Sequence, residues 1–98
     1  MEFSAHLKHF LDEEGRLIAY PSKHKKKICA LFFFSEKFTK GNVYSEKEVN
    51  EILNSSHTFQ DPCLIRREMV NYRFFSRERD GSVYRLENEQ PDPKQFGL

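Results

Sequence analysis

Apolar side chains recur three and four positions apart in four stretches of the chain, which is the spacing of one buried helix face. The predicted helices span about Phe3–Leu11, Lys23–Phe38, Glu46–Ser56 and Pro62–Tyr72. In the last of them Ile65, Met69 and Tyr72 share one side, and Arg66 and Arg67 leave it. The pattern therefore predicts a mostly helical protein whose last helix turns two arginines away from the core.

Local start signals precede three of these predicted helices. Ser22 is a candidate N-cap for the second helix. Ser45-Glu-Lys-Glu48 has the form of a capping box, in which the Ser45 hydroxyl accepts from the Glu48 amide and the Glu48 carboxylate reaches back. Asp61-Pro62 combines an N-cap residue with proline at the first helical position. These signals predict that a short connection separates the third and fourth helices.

Three extended segments complete the pattern. Arg16–Tyr20 alternates weakly and ends before Pro21, which predicts a short N-terminal strand. Phe74–Arg79 and Ser82–Leu86 flank Asp80-Gly81, a pair that is typical of a type I′ hairpin turn. Helix, short connection, helix and hairpin follow in the order of a winged helix-turn-helix. The predicted fold is α+β and mostly helical, with about four helices, a short N-terminal strand and a C-terminal hairpin wing.

A chain of 98 residues is predicted to form one domain over residues 1–86, followed by a flexible tail over residues 87–98. Its longest apolar run is shorter than the ~18 residues that span a bilayer. Its first residues lack the pattern of a signal peptide. We therefore expect a cytoplasmic protein without a membrane partner. Cys29 and Cys63 are expected to be reduced, buried thiols rather than a disulfide.

The net charge of +1 conceals an uneven distribution of charged residues. Residues 16–40 contain seven Lys or Arg against one acid, and residues 62–86 contain six Arg against three acids. The segments 1–15, 44–61 and 87–98 are each net acidic. Two basic segments in a nearly neutral chain can still form one basic face.

Arginine suits contact with nucleic acid because its planar guanidinium can bond a guanine edge or a phosphate in two places. Arg66 and Arg67 lie about 100° apart on the predicted recognition helix, so one can read bases while the other holds the backbone. The alternative is an ordinary solvated helix face with Asp61 and Glu68 as ion-pair partners. The surrounding helix-turn-helix order favours the nucleic-acid interpretation.

Two further sets of cations extend this predicted surface. The hairpin carries Arg77, Arg79 and Arg85, which would lie along phosphates or a minor groove, and strand alternation puts the first two on one face. The second helix begins with cations that oppose its dipole. They are Lys23, Lys25, Lys26 and Lys27. Lysines predict phosphate contact, which adds affinity and salt dependence rather than base choice. The alternative is a solvated helix end that serves solubility.

No residue pattern in the sequence predicts catalysis, a cofactor or a metal site. The His and Cys residues form no C-x-x-C motif and no close cluster with metal-ligand spacing. The chain also lacks a glycine-rich phosphate loop. We therefore expect a protein that is not an enzyme.

Several short motifs of this chain recur together in a known family. They are Phe10–Leu17, Pro21–Lys27, Tyr44–Asn50, Asp61–Tyr72 and Arg77–Tyr84. In this order they resemble the bacterial domain of unknown function 2087. The resemblance implies a winged-helix-like domain with a role in transcription, and it implies no particular operator, ligand or enzyme activity. Where the family pattern tends to have glycine before the wing, this chain has Arg73. Arg73 must either adopt a left-handed conformation at some cost or avoid it, and it is a further candidate for phosphate contact.

We therefore expect a bacterial transcription regulator, or the DNA-binding module of one, with double-stranded DNA as its partner. Residues 62–72 would enter the major groove and residues 74–86 would contact the backbone. A homodimer is expected through the first helix, with Phe3, Leu7 and Phe10, or through the Phe32–Phe34 stretch. A protein-interaction module on the same scaffold and an RNA-binding protein are the first two alternatives. A metal- or ligand-sensing regulator is the third, and the poor ligand spacing disfavours it.

Overall fold

The computed structural model describes residues 3–80 and 82–98. Within these ranges the chain forms four α-helices and a three-stranded antiparallel sheet. The helices are α1 (Phe3–His6), α2 (His24–Ser35), α3 (Glu46–Asn54) and α4 (Pro62–Asn71). The strands are β1 (Tyr44–Ser45), β2 (Phe75–Arg77) and β3 (Val83–Leu86), in the order β1-β3-β2. Short 3-10 helices occupy Lys8–Phe10 and Pro93–Phe96. The predicted α+β class is confirmed.

Helix α2 forms the centre of the core. Every residue from Ile28 to Phe34 is buried, because both α1 and α4 pack against this helix. A helix that is apolar on all sides is one that its neighbours enclose. The helix begins after Lys23 rather than after Ser22, and no side chain caps it. It ends at Ser35, three residues before the predicted end.

The predicted caps of α3 and α4 are confirmed. The Glu48 amide donates to the Ser45 hydroxyl at 3.1 Å, and the Ser45 amide donates to the Glu48 carboxylate at 3.0 Å. Hydrogen bonding of the Glu48 carboxylate to the Ser45 amide, and to the Ser45 side chain, lowers the pKa of Glu48. At α4 the Leu64 amide donates to the Asp61 carboxylate at 3.1 Å, and Pro62 follows the cap. The first cap fixes the start of α3, and the second fixes the end of the short connection that leads into α4.

The predicted N-terminal strand over residues 16–20 is wrong. Among these residues only Leu17 makes bridge pairs, antiparallel to Leu11 and parallel to His57. The Asp12 carboxylate accepts from the amide and the guanidinium of Arg16, which closes a turn just before Leu17. The pairing beyond this turn stays limited to single bridges because no strand of the described chain runs alongside it. The third strand of the sheet is instead β1, which pairs with β3.

The two ends of the described chain pack against α2. The Phe3 ring stacks on Phe32 with centroids 4.5 Å apart, and the Phe96 ring meets Phe32 edge-on at 6.3 Å. The tail contains a 3-10 helix that is capped by Asp92. The predicted flexibility of residues 87–98 stays a prediction.

Most side chains that were expected to form a dimer face pack in the core of the molecule. The predicted first helix is broken into α1 and the 3-10 helix Lys8–Phe10, and Phe3 and Leu7 are buried. The Phe32–Phe34 stretch is buried as well. These residues pack in the core of one molecule, whereas Phe10 is only partly buried. The homodimer stays a prediction.

Candidate nucleic-acid interface

An exposed ridge runs along the outer side of α4. Cys63, Arg67 and Asn71 are spaced four residues apart and are all exposed, whereas Ile65 and Met69 on the opposite side are fully buried. Arg67 has no ion pair or hydrogen bond within the described residues, so its guanidinium is available to an external anion. Sequence reasoning did not assign Cys63 or Asn71 to the interface, although their four-residue spacing from Arg67 is visible in the sequence.

The two cysteines differ in environment. Both are free thiols; Cys29 is buried in α2, and burial raises its pKa. Cys63 is exposed, so its predicted burial is wrong. The physical reason is its position near the start of α4, on the ridge that faces away from the core.

Arg66 is turned inward and connects three elements. Its guanidinium forms an ion pair of 2.9 Å with Glu46 and donates a hydrogen bond to the Asn50 side chain, both on α3. It also lies 5.9 Å from the centre of the Tyr84 ring on β3. Only 13% of the Arg66 side chain is exposed. These contacts hold α4 against α3 and the sheet.

Arg73 follows α4 in the left-handed conformation that favours glycine. Its φ is 67°. The Arg73 amide donates to the Val70 carbonyl at 3.1 Å, and the Phe74 amide donates to the Met69 carbonyl at 2.8 Å. This pair of bonds is a Schellman motif, in which a residue with a Cβ atom is strained. The Arg73 side chain is exposed beside the start of the hairpin.

We expect Arg73→Gly to raise the free energy of unfolding by roughly 1 kcal/mol, because glycine adopts this conformation without steric cost. For a domain of this size that corresponds to a rise in Tm of about 4–8 °C. Thermal unfolding followed by circular dichroism measures the change. Gln60→Gly tests the same effect at a second position and should also raise the Tm, since Gln60 has a positive φ of 54°. A Tm for Arg73→Gly at or below the native value would contradict the strain.

The hairpin arginines divide into two groups. In the register Arg77 lies opposite Tyr84, and Arg85 lies opposite Ser76. Arg85 forms an ion pair of 3.2 Å with Glu78. Arg77 and Arg79 are exposed and have no acidic partner among the described residues. The hairpin therefore presents two unpaired cations and one paired cation.

The turn of the hairpin agrees with the predicted register. The Glu78 amide donates to the Val83 carbonyl at 3.0 Å, which continues the pairing of β2 and β3 toward Asp80. The Asp80 carboxylate accepts from both the amide and the hydroxyl of Ser82, and these bonds lower the pKa of Asp80. The predicted type I′ geometry rests on Gly81, which lies outside the described residues.

The lysine segment at the start of α2 remains without carboxylate partners in the described structure. Lys23 and Lys25 are exposed. The Lys26 ammonium donates to the His6 carbonyl at 2.7 Å, and the Lys27 ammonium lies 5.6 Å from the centre of the Tyr20 ring. Neither contact neutralises a charge, so four cations stay close together at one helix end.

Aromatic contacts bring this lysine segment to the end of α4. The His24 ring lies 6.1 Å from the Tyr72 ring, and both rings contact Phe96. Because Lys23 and Arg73 are the sequence neighbours of these two aromatic residues, the lysine segment and the strained end of α4 are adjacent. The Tyr20 hydroxyl is buried, and this burial together with the Glu68 carboxylate raises the pKa of Tyr20.

A sequence model of uncharacterized proteins conserved in bacteria, DUF2087, matches residues 16–86. The chain belongs to the DUF2087 family. The DUF2087 region contains α2, α3, α4 and all three strands, together with the ridge of α4 and the hairpin cations. Among curated proteins and solved structures, none matches the chain. Within the described part of this DUF2087 protein, no helix has the length and apolar character needed to cross a membrane.

Proposed function

We propose that this DUF2087 protein is a bacterial transcription regulator, or the DNA-binding module of one, built on a winged helix-turn-helix. The order of elements supports the fold, because α3 and α4 are joined by a short connection and the β2–β3 hairpin follows α4 directly. Strand β1 precedes α3 and pairs with β3, so the hairpin is attached to the helical part. In such a layout α4 enters the major groove and the hairpin lies along the backbone.

The observation that carries this proposal is the exposed, unpaired Arg67 with unpaired cations on either side of it along the chain. Arg67 would contact base edges, and Asn71 on the same ridge would add an amide that can pair with adenine. Phosphates would be contacted by the cations that have no carboxylate partner. These are Arg73, Arg77, Arg79, Lys23, Lys25, Lys26 and Lys27.

Arg66 and Arg85 remain predicted DNA contacts of a different kind. Each is already paired with a glutamate, Arg66 with Glu46 and Arg85 with Glu78. A contact with DNA would require the guanidinium to exchange the carboxylate for a phosphate or a base. Arg85 is half exposed and can make this exchange at low cost, whereas Arg66 is largely enclosed.

The proposal predicts salt-dependent binding to random duplex DNA, measured by fluorescence anisotropy between about 50 and 200 mM salt. If roughly six phosphates are neutralised, the logarithm of the affinity should fall against the logarithm of the salt concentration with a slope of about −5. Arg67→Ala should weaken binding roughly tenfold and leave the unfolding free energy nearly unchanged, because the exposed guanidinium makes no ion pair or hydrogen bond with a described residue.

Lys37→Ala is the control, because Lys37 is an exposed cation that follows the end of α2 opposite the lysine segment. Its ammonium lies 4.6 Å from the centre of the Phe33 ring. Lys37→Ala should change affinity much less than Arg67→Ala. Absence of binding at low salt, or equal effects of the two variants, would contradict the DNA proposal and favour a protein-interaction module. Tighter binding to single-stranded RNA than to duplex DNA would favour the RNA-binding alternative.

A further inference from the structure

A cleft opens beside the start of α2, away from the ridge of α4. Its volume is about 380 Å³, which lies in the range of roughly 300–1,000 Å³ that is typical of small-molecule sites. The lining residues are Phe10, Tyr20, Pro21, Ser22, Lys23 and Lys26. Three of them contribute apolar surface and two contribute ammonium groups. The lining contains no carboxylate side chain.

The walls of the cleft are held in place without a ligand. The Ile18 amide donates to the Phe10 carbonyl at 2.7 Å, which holds the segment that leads to Tyr20 beside Phe10. The Tyr20 ring contacts the Phe59 ring, with centroids 6.5 Å apart, and its hydroxyl is buried. A cleft with fixed walls loses little conformational freedom when it binds a ligand.

The two ammonium groups of the cleft differ in how they are held. The Lys26 ammonium is anchored to the His6 carbonyl and keeps donors for another acceptor, since an ammonium has three N–H bonds. The Lys23 side chain is exposed and forms no ion pair with any described residue. Two cations beside an apolar wall complement a molecule with one apolar part and one anionic group.

We propose that this cleft binds a small amphiphilic carboxylate, with an aromatic or short aliphatic body against Phe10, Tyr20 and Pro21. The carboxylate would accept from Lys23 and Lys26. The same lysines belong to the cations that are proposed to contact phosphate, so an occupied cleft would compete with DNA. This competition rests on the proposed function, whereas binding of the carboxylate does not.

Naphthoate is the probe for the first test, with naphthamide as its neutral match, in titrations followed by amide NMR of the full chain. Shifts should concentrate at Phe10, Tyr20 and the Ser22–Lys26 segment. Naphthoate should bind roughly tenfold more tightly than naphthamide, because only the carboxylate pairs with two partly exposed cations. Equal affinities, or shifts centred elsewhere in the chain, would overturn the site.

Lys23→Gln should weaken naphthoate binding by roughly threefold, as expected for one exposed ion pair. Lys25→Gln is the control, because Lys25 lies on the same helix turn and does not line this cleft. If both variants weakened naphthoate binding equally, the effect would come from the overall positive charge and not from this cleft, and the proposal would be overturned. Neither residue is buried, so both variants should fold.

The second test adds naphthoate to the complex with duplex DNA and measures the apparent affinity. A decrease with naphthoate but not with naphthamide supports the competition. If naphthoate binds the cleft and leaves DNA affinity unchanged, the competition is overturned and the site stands. If the chain binds no DNA while naphthoate still binds, the proposed function fails separately from the cleft.

Discussion

Replacing Phe32 with alanine is expected to lower the free energy of unfolding by roughly 3–5 kcal/mol, the usual cost of removing a buried phenylalanine. Only 6% of Phe32 is exposed. Its ring stacks on Phe3 at 4.5 Å and meets Phe74 edge-on at 4.8 Å. The loss is a large share of the roughly 5–15 kcal/mol that stabilises a typical domain. Urea denaturation followed by circular dichroism measures it.

Phe32→Leu keeps the test valid if the alanine variant does not fold, since leucine retains much of the buried volume. The leucine variant should be intermediate in stability. It should also speed amide exchange in the Pro93–Phe96 helix, because the Phe96 ring packs on Phe32. If the alanine variant lost less than about 1 kcal/mol of unfolding free energy, the central position of this ring would be contradicted.

The parts of the fold that were predicted correctly depend on short sequence distances. The Ser45–Glu48 capping box and the Asp61-Pro62 start involve residues within one helical turn of each other, so the sequence contains the whole interaction. The hairpin register likewise follows from two alternating segments around one turn. Local signals of this kind need no knowledge of tertiary packing.

The errors arose where the partner is distant in sequence. Leu17 pairs with His57, forty positions later, and a weak alternation cannot show whether such a bridge extends into a strand. Strand β1 has only two residues, which is too short for any period, and it forms because β3 pairs with it. The Ile28–Phe34 segment of α2 is buried on all sides, so its apolar residues show no single face.

The same limit applies to the candidate interface. The helical pattern puts Arg67 about 200° from the buried Ile65 and Arg66 about 100° from it, so Arg67 lies opposite the core and Arg66 on its flank. The sequence does not show what that flank faces. This depends on how α3 and α4 cross, which brings Glu46 and Asn50 to Arg66. The pairing of Arg85 with Glu78 is easier to predict from the sequence, because the hairpin register places both side chains on one face.

Arg66→Ala is expected to lower the free energy of unfolding by roughly 2 kcal/mol, because it removes charge-assisted hydrogen bonds to α3 while the half-exposed Glu46 stays partly solvated. A double-mutant cycle with Glu46→Gln, measured by urea denaturation, isolates the ion pair from the packing of the Arg66 stem over Tyr84. Additive losses in this cycle would contradict an energetic link between the two residues.

DNA affinity of the same variants separates the two roles of Arg66. If Arg66 holds α4 in place, releasing it by Glu46→Gln should weaken binding relative to Glu51→Gln, which removes an exposed and unpaired acid from the same helix. If Arg66 itself contacts DNA, its release should strengthen binding relative to that control. The enclosed position of the guanidinium favours the first result, because an arginine with only 13% of its side chain exposed must break its bonds to α3 before it reaches a phosphate.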